Sequence, residues 1–216
     1  MTRQYKRFIL VLDDFYANPF EVREFASSLN YYEVPNATGF RSDKLYNPLT
    51  LKKHFERLLN IKITKWSNKH EDENGIFFLA FSKGARKEKP AIHTDPELND
   101  ITVVIYLTPD LPSDCGTSFW RHKKTGLCDE PTASDARRLK MSLKKLSLMF
   151  DDQALNRSKW EELDRVAYKF NRMVAFPSGV FHSGTNHFGA NFTDGRIIQT
   201  FRLEVDWNTF NQPSRK

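Results

Sequence analysis

From Arg196 to Val205 the chain alternates at every step: Arg-Ile-Ile-Gln-Thr-Phe-Arg-Leu-Glu-Val. In an extended chain, successive side chains point to opposite faces. Arg196, Ile198, Thr200, Arg202 and Glu204 therefore share one face, and Ile197, Gln199, Phe201, Leu203 and Val205 take the other. The second face is mostly apolar and is expected to pack against helices, which leaves Arg196 and Thr200 pointing into a sandwich. Other stretches show the same strand character: Phe8 to Leu12, Ile76 to Phe81, Thr102 to Leu107, Ser118 to Trp120 and Arg172 to Phe176. Turn residues separate them, among them Thr108-Pro109, Cys115-Gly116 and Pro177-Ser178-Gly179.

Helical patterns gather at the front. Phe20 to Leu29 follows Asn18, a capping residue, and Pro19, which suits a first helical position. Leu49 to Leu59 follows Pro48 in the same way, and Gly39 to Asn47 between them reads as loop. Two more helical patterns, Ser134 to Phe150 and Lys159 to Tyr168, interrupt the strands. An insertion of that kind, at about 130–168, is expected to cover a binding site and set its selectivity. The whole predicts a mainly β chain, an antiparallel sandwich or barrel with flanking helices.

The 216 residues suit a single domain, 1–216, with strand and supporting helices in 1–74 and the β core in 75–206. A hydrophobic content of 39%, with eighteen Phe, can build a core without staples. Cys115 and Cys128 read as reduced packing thiols, too few for a structural zinc site. Phe8 to Leu12 is too short for a signal-peptide core or a membrane span, so the expected location is cytoplasmic with no membrane partner. Disorder is expected only in the tail, 211–216. The net charge of +6 is concentrated at Lys83 to Lys89 and Arg137 to Lys145. Acidic residues interleaved through the chain make these solvated faces, with an anionic partner as the alternative.

The chemistry concentrates elsewhere. In His93-Thr94-Asp95 an imidazole and a carboxylate stand two positions apart, which on an extended chain aims both at one face. His182 follows the strand and turn Met173 to Phe181. Two imidazoles and a carboxylate leave open positions on a metal, the arrangement of non-haem Fe(II) oxygenases, with zinc hydrolysis as the competitor. The chain holds no His-Glu-x-x-His helix to support the zinc reading. Arg196 offers a rigid two-pronged donor suited to a buried carboxylate.

Together these residues resemble the 2-oxoglutarate/Fe(II) dioxygenases, specifically the prolyl-hydroxylase-like branch. The resemblance covers roughly 75–206. It rests on His93-x-Asp95, His182, Arg196-x-x-x-Thr200, the strand end Tyr106-Leu107, and the strand Gly116-Thr-Ser-Phe-Trp120. It implies a double-stranded β-helix (jelly-roll) core and iron held by His93, Asp95 and His182. It also implies that 2-oxoglutarate is bound at its distal carboxylate by Arg196 with Thr200 and the Tyr106 hydroxyl. The activity so implied is O₂-dependent hydroxylation of an unactivated C–H in a small-molecule or peptidyl substrate, with succinate and CO₂ released. Arg196 lies further beyond His182 than is usual in that family, so Arg202 is the alternative anchor, and His187 is the alternative to His182. Two other readings stand beside this one. The first is an AlkB-type nucleic-acid demethylase, which the basic charge and the Arg196–Arg202 spacing favour. The second is a binding module on the same fold without catalysis.

Overall fold

In the computed structural model the described residues are 7–34, 38–84, 88–95 and 100–209. The tail 211–216 and the middle of the basic run Lys83–Lys89 lie outside them. Along the chain come β1 (Leu10–Leu12), α1 (Pro19–Ser28), β2 (Tyr31–Glu33), β3 (Phe40–Leu45), α2 (Leu49–Leu59), β4 (Lys62–Lys65), β5 (Ile76–Ala80) and β6 (Ile101–Tyr106). They are followed by β7 (Thr117–His122), α3 (Ala133–Leu139), α4 (Leu143–Gln153), β8 (Trp160–Val166), β9 (Met173–Pro177), β10 (His182–Gly184) and β11 (Arg196–Asp206). None of the described helices is long and apolar enough to cross a membrane.

The strands form two antiparallel sheets. The larger has the order β1-β9-β6-β11-β5-β3-β2, with β4 paired to the end of β11, and the smaller the order β10-β7-β8. β11 is central because it pairs with β5 on one side and β6 on the other. Its alternation does what the sequence predicts. Ile197, Phe201, Leu203 and Val205 join Val22 and Ala26 of α1 and Leu51, Phe55 and Leu59 of α2 in the main core. β6 divides in the same way. Ile101, Val103 and Ile105 face the helices, while Val104 and Tyr106 face the small sheet and pack with Phe119, Val166, Val174 and Phe176.

Three local readings need correction. Lys159 to Tyr168 is not a helix but contains β8, which pairs with β7 along its length. Its Glu, Leu and Arg residues favour a helix locally, but the ladder to β7 and the burial of Trp160 and Val166 outweigh that preference. Gly39 to Asn47 is not loop throughout: β3 pairs there with β5, a partner far along the chain that no local pattern announces. Ser134 to Phe150 is two helices, broken at Lys140, whose left-handed backbone (φ 52°) ends α3. At α1, Pro19 takes the first helical position as expected, but Asn18 makes no side-chain cap hydrogen bond.

The inserted helices are not a cover. Leu146 and Phe150 of α4 pack with Trp120, Trp160 and Phe181, on the face of the small sheet turned away from the larger one. No residue of α3 or α4 lines the cavity described below.

Candidate metal centre

His93 and His182 meet through their backbones. Each amide donates to the other's carbonyl, at 3.0 and 2.9 Å, in an isolated antiparallel bridge. That pairing sets the two rings side by side, with centroids 4.5 Å apart. Two positions on, the Asp95 amide donates to the Ser178 carbonyl at 2.9 Å, so its side chain turns to the face His93 occupies. His93, Asp95 and His182 each offer a donor atom, and all three atoms lie within 4.8 Å of one another. His93 Nε2 is 3.8 Å from Asp95 Oδ1, and His182 Nε2 is 3.5 Å from Asp95 Oδ2. Asp95 and His182 are buried while His93 is half exposed.

The hydrogen bonds behind the rings select the tautomer a metal needs. His93 Nδ1 lies 3.0 Å from the Ala91 carbonyl and His182 Nδ1 lies 2.9 Å from the Val180 carbonyl. A carbonyl oxygen can only accept, so each Nδ1 carries a proton, and in the neutral tautomer that leaves the lone pair on Nε2, on the side facing Asp95. Burial pushes His182 down to about 4, against the opposing pull of Asp95, so its ring is neutral near pH 7. For Asp95 burial works against ionisation, but Arg202, the two imidazoles and the Thr102 hydroxyl outweigh it and hold the carboxyl below its usual range. These residues fit a metal: two imidazole nitrogens and one carboxylate converge on one point.

A cavity of about 430 Å³ opens beside these atoms. Arg196, Thr200 and His187 line it, together with Ile198 and Thr117. Arg196 is buried, and among the described residues no carboxylate pairs with it. Its Nε and Nη2 donate to the carbonyls of Cys115 and Gly116 at 2.8 and 3.2 Å. A Cβ on Gly116 would collide with the Val166 carbonyl, so glycine there lets the backbone of Val166 to Tyr168 pass close beside it. Thr200 Oγ1 and both ring nitrogens of His187 are buried with no hydrogen-bond partner. Tyr106 is not itself a cavity residue. Its hydroxyl meets Thr117 Oγ1 at 2.7 Å, its ring stacks on Tyr168, and the Arg196 guanidinium sits 5.6 Å from its centroid.

Arg202, on the same face of β11, is held differently. Its Nη1 contacts Asp95 Oδ2 and lies 3.1 Å from Thr102 Oγ1, and its Nη2 lies 3.7 Å from Glu73. Glu73 also meets Arg41 at 3.4 Å, whose guanidinium lies 3.8 Å over the Phe78 ring. Charges thus alternate from Asp95 outward: carboxylate, guanidinium, carboxylate, guanidinium.

The structure brings together all three expected metal-site residues, with Arg196 and Thr200 on the wall of the same cavity. His187 is not among the three donors. Sequence reasoning missed Thr102, which donates to Asp95 Oδ2 at 2.5 Å. One signal was available, since Thr102 is a polar residue on the inward face of an otherwise apolar strand. It also gave no role to Thr117, though the strand Gly116-Thr-Ser-Phe-Trp120 contains it, and it missed Glu73 and Arg41, which no motif marks.

The sequence profile described as "Family of unknown function (DUF6445)" matches residues 2–198. No curated protein sequence matches the chain. Among solved structures, HygX from Streptomyces hygroscopicus, determined with nickel and 2-oxoglutarate bound, is similar at 11% identity and a TM-score of 0.50. That match covers 96% of this chain and 88% of HygX. TqaL, an Fe(II)/α-ketoglutarate-dependent dioxygenase, matches at 13% identity and a TM-score of 0.38, over 94% and 86% of the two chains. The likeness to HygX is one of fold.

Proposed function

We propose that this chain, which belongs to the family of unknown function DUF6445, is a non-haem Fe(II)- and 2-oxoglutarate-dependent oxygenase. One observation carries the reading. A buried guanidinium without an acidic partner among the described residues, Arg196, lines the cavity that borders the His93–Asp95–His182 donor set. Two backbone carbonyls take part of its fork but bring no counter-charge, and a buried cation without one is costly, so the cavity suits an anion. 2-Oxoglutarate answers both ends, with a carboxylate for Arg196 and a chelating keto acid for the metal. The HygX structure, with nickel and 2-oxoglutarate, supports the same reading through its fold.

His93, Asp95 and His182 would hold Fe(II). The bound iron, 2-oxoglutarate and O₂ would supply the chemistry that hydroxylates an unactivated C–H and releases succinate and CO₂. The chain's own work is to position. Ala91 and Val180 fix the imidazole tautomers. Thr102 and Arg202 occupy Oδ2 of Asp95, which leaves Oδ1 as the oxygen without those partners. Arg196 and the unpartnered Thr200 hydroxyl hold the far carboxylate, and Tyr106 supports them through Thr117. Within this class we read the paired sheets as a double-stranded β-helix of the prolyl-hydroxylase-like branch, acting on a small molecule or peptide.

The test is anaerobic reconstitution with Fe(II), followed by O₂-dependent conversion of 2-oxoglutarate to succinate across amino acids, peptides and small metabolites. His93→Ala, Asp95→Ala and His182→Ala should each lose most bound Fe(II) and all turnover, while His187→Ala keeps its iron. A wild-type protein that binds Fe(II) but never consumes 2-oxoglutarate would sink the proposal.

A further inference from the structure

His187 lies in the cavity wall with Arg196 and Thr200, and it is the one histidine there outside the metal donor set. Both of its ring nitrogens are buried and neither has a hydrogen-bond partner. An imidazole offers one N–H and one lone pair, and burying both without partners costs free energy that a packing role does not return. Phe or Leu would fill the same space without that cost. The ring's neighbours narrow the choice of what it serves. Burial first, and then the nearby guanidiniums of Arg196 and Arg157, push His187 down to about 3, so it is a neutral ring at physiological pH. Next to Arg196, a neutral ring cannot repel a cation, yet it can still donate one hydrogen bond. The Thr200 hydroxyl, likewise unpartnered, lies on the same wall. A charged fork, a hydroxyl and an imidazole N–H are three donors around one space. A carboxylate, with two oxygens and about four lone-pair sites, can accept from all of them.

We propose that His187 is a cosubstrate-binding residue, donating a hydrogen bond to the distal carboxylate of 2-oxoglutarate alongside Arg196 and Thr200. This rests on the oxygenase reading above and adds to it a specificity determinant. His187 serves the far end of the cosubstrate alone, so it selects a keto diacid over a keto acid that lacks the second carboxylate.

The test compares two chelators of the metal-loaded protein: 2-oxoglutarate, which reaches the far pocket, and oxalate, which stops at the metal. Equilibrium dissociation constants are measured with Ni(II) in place of iron and without O₂, so turnover plays no part. His187→Leu should weaken 2-oxoglutarate binding by about ten- to hundredfold, the range for losing a hydrogen bond to a charged group, and leave oxalate affinity unchanged. His187→Asn, which keeps an N–H donor, should recover most of the loss. An equal fall for both chelators would mean the ring only maintains the fold, and an unchanged 2-oxoglutarate affinity would mean that it does not reach the carboxylate. Either result overturns the assignment while the oxygenase reading stands. If wild-type protein binds oxalate but not 2-oxoglutarate, the oxygenase reading fails and His187 loses its ligand with it.

Discussion

Arg202 places its guanidinium on Oδ2 of Asp95, the carboxylate oxygen that also accepts from the Thr102 hydroxyl at 2.5 Å. The pair is almost entirely buried, and against that burial Arg202 is the largest influence that keeps Asp95 ionised inside the protein. β11 therefore carries two arginines with separate duties. Arg202 neutralises a metal ligand, and Arg196, six positions earlier by numbering, faces the cavity without an acid.

Removing Arg202 should strand the Asp95 charge. Arg202→Ala is expected to destabilise the metal-free protein by about 3–5 kcal/mol, the cost of breaking a buried ion pair from one side. Adding Asp95→Asn should recover much of the loss, and adding metal should stabilise Arg202→Ala more than wild type, since the ion replaces the missing cation. Urea unfolding with and without Ni(II) measures all of this. A loss below about 1 kcal/mol, the level of a surface pair, would show that the contact carries little.

Arg196 should fail in a different way. Arg196→Met is expected to leave metal affinity intact and weaken 2-oxoglutarate binding by about 2–5 kcal/mol, the usual cost of truncating one side of a buried charge pair. Calorimetric titration of metal and then cosubstrate separates the two steps. If Arg202→Ala abolished cosubstrate binding and Arg196→Met did not, the duties of the two arginines would have to be exchanged.

The inserted helices should matter for stability alone. Leu146→Ala and Phe150→Ala in α4 are expected to cost about 2–5 kcal/mol each, since both side chains are buried against the small sheet. Neutralising the exposed Arg137, Arg138, Lys140, Lys144 and Lys145 should leave 2-oxoglutarate affinity at the wild-type value, because none of them lines the cavity. A marked loss of coupled product formation in that charge variant, with 2-oxoglutarate affinity kept, would restore the idea of a cover.

His187 should also leave a mark on acid stability. The folded chain lowers its pKa from 6.5 to about 3, so unfolding takes up a proton between those values. That contribution is fully present above pH 6.5 and is lost as the pH falls toward 3. His187→Leu should flatten this part of the stability curve, as read from urea midpoints of the cosubstrate-free protein. Parallel curves for wild type and variant across that window would show that the ring is not held neutral.

The sequence determined a good deal by itself. The alternation of Arg196 to Val205 fixes which residues of β11 face the helices and which face the cavity, because a strand has only two sides. The spacing of His93 and Asp95 puts both on one face for the same reason. Periodicity is local, and so it was legible. What tertiary structure alone decided is everything that depends on a partner distant in the chain. β3 is a strand because β5 lies beside it, and β8 is one because β7 does, against the helical preference of its own residues. The bridge between His93 and His182 assembles the metal donors. Arg202 is committed and Arg196 is left over because Asp95 and Glu73 arrive next to one arginine and not the other. Two arginines on the same face of one strand are indistinguishable in sequence, and only the charges that folding brings against them separate their roles.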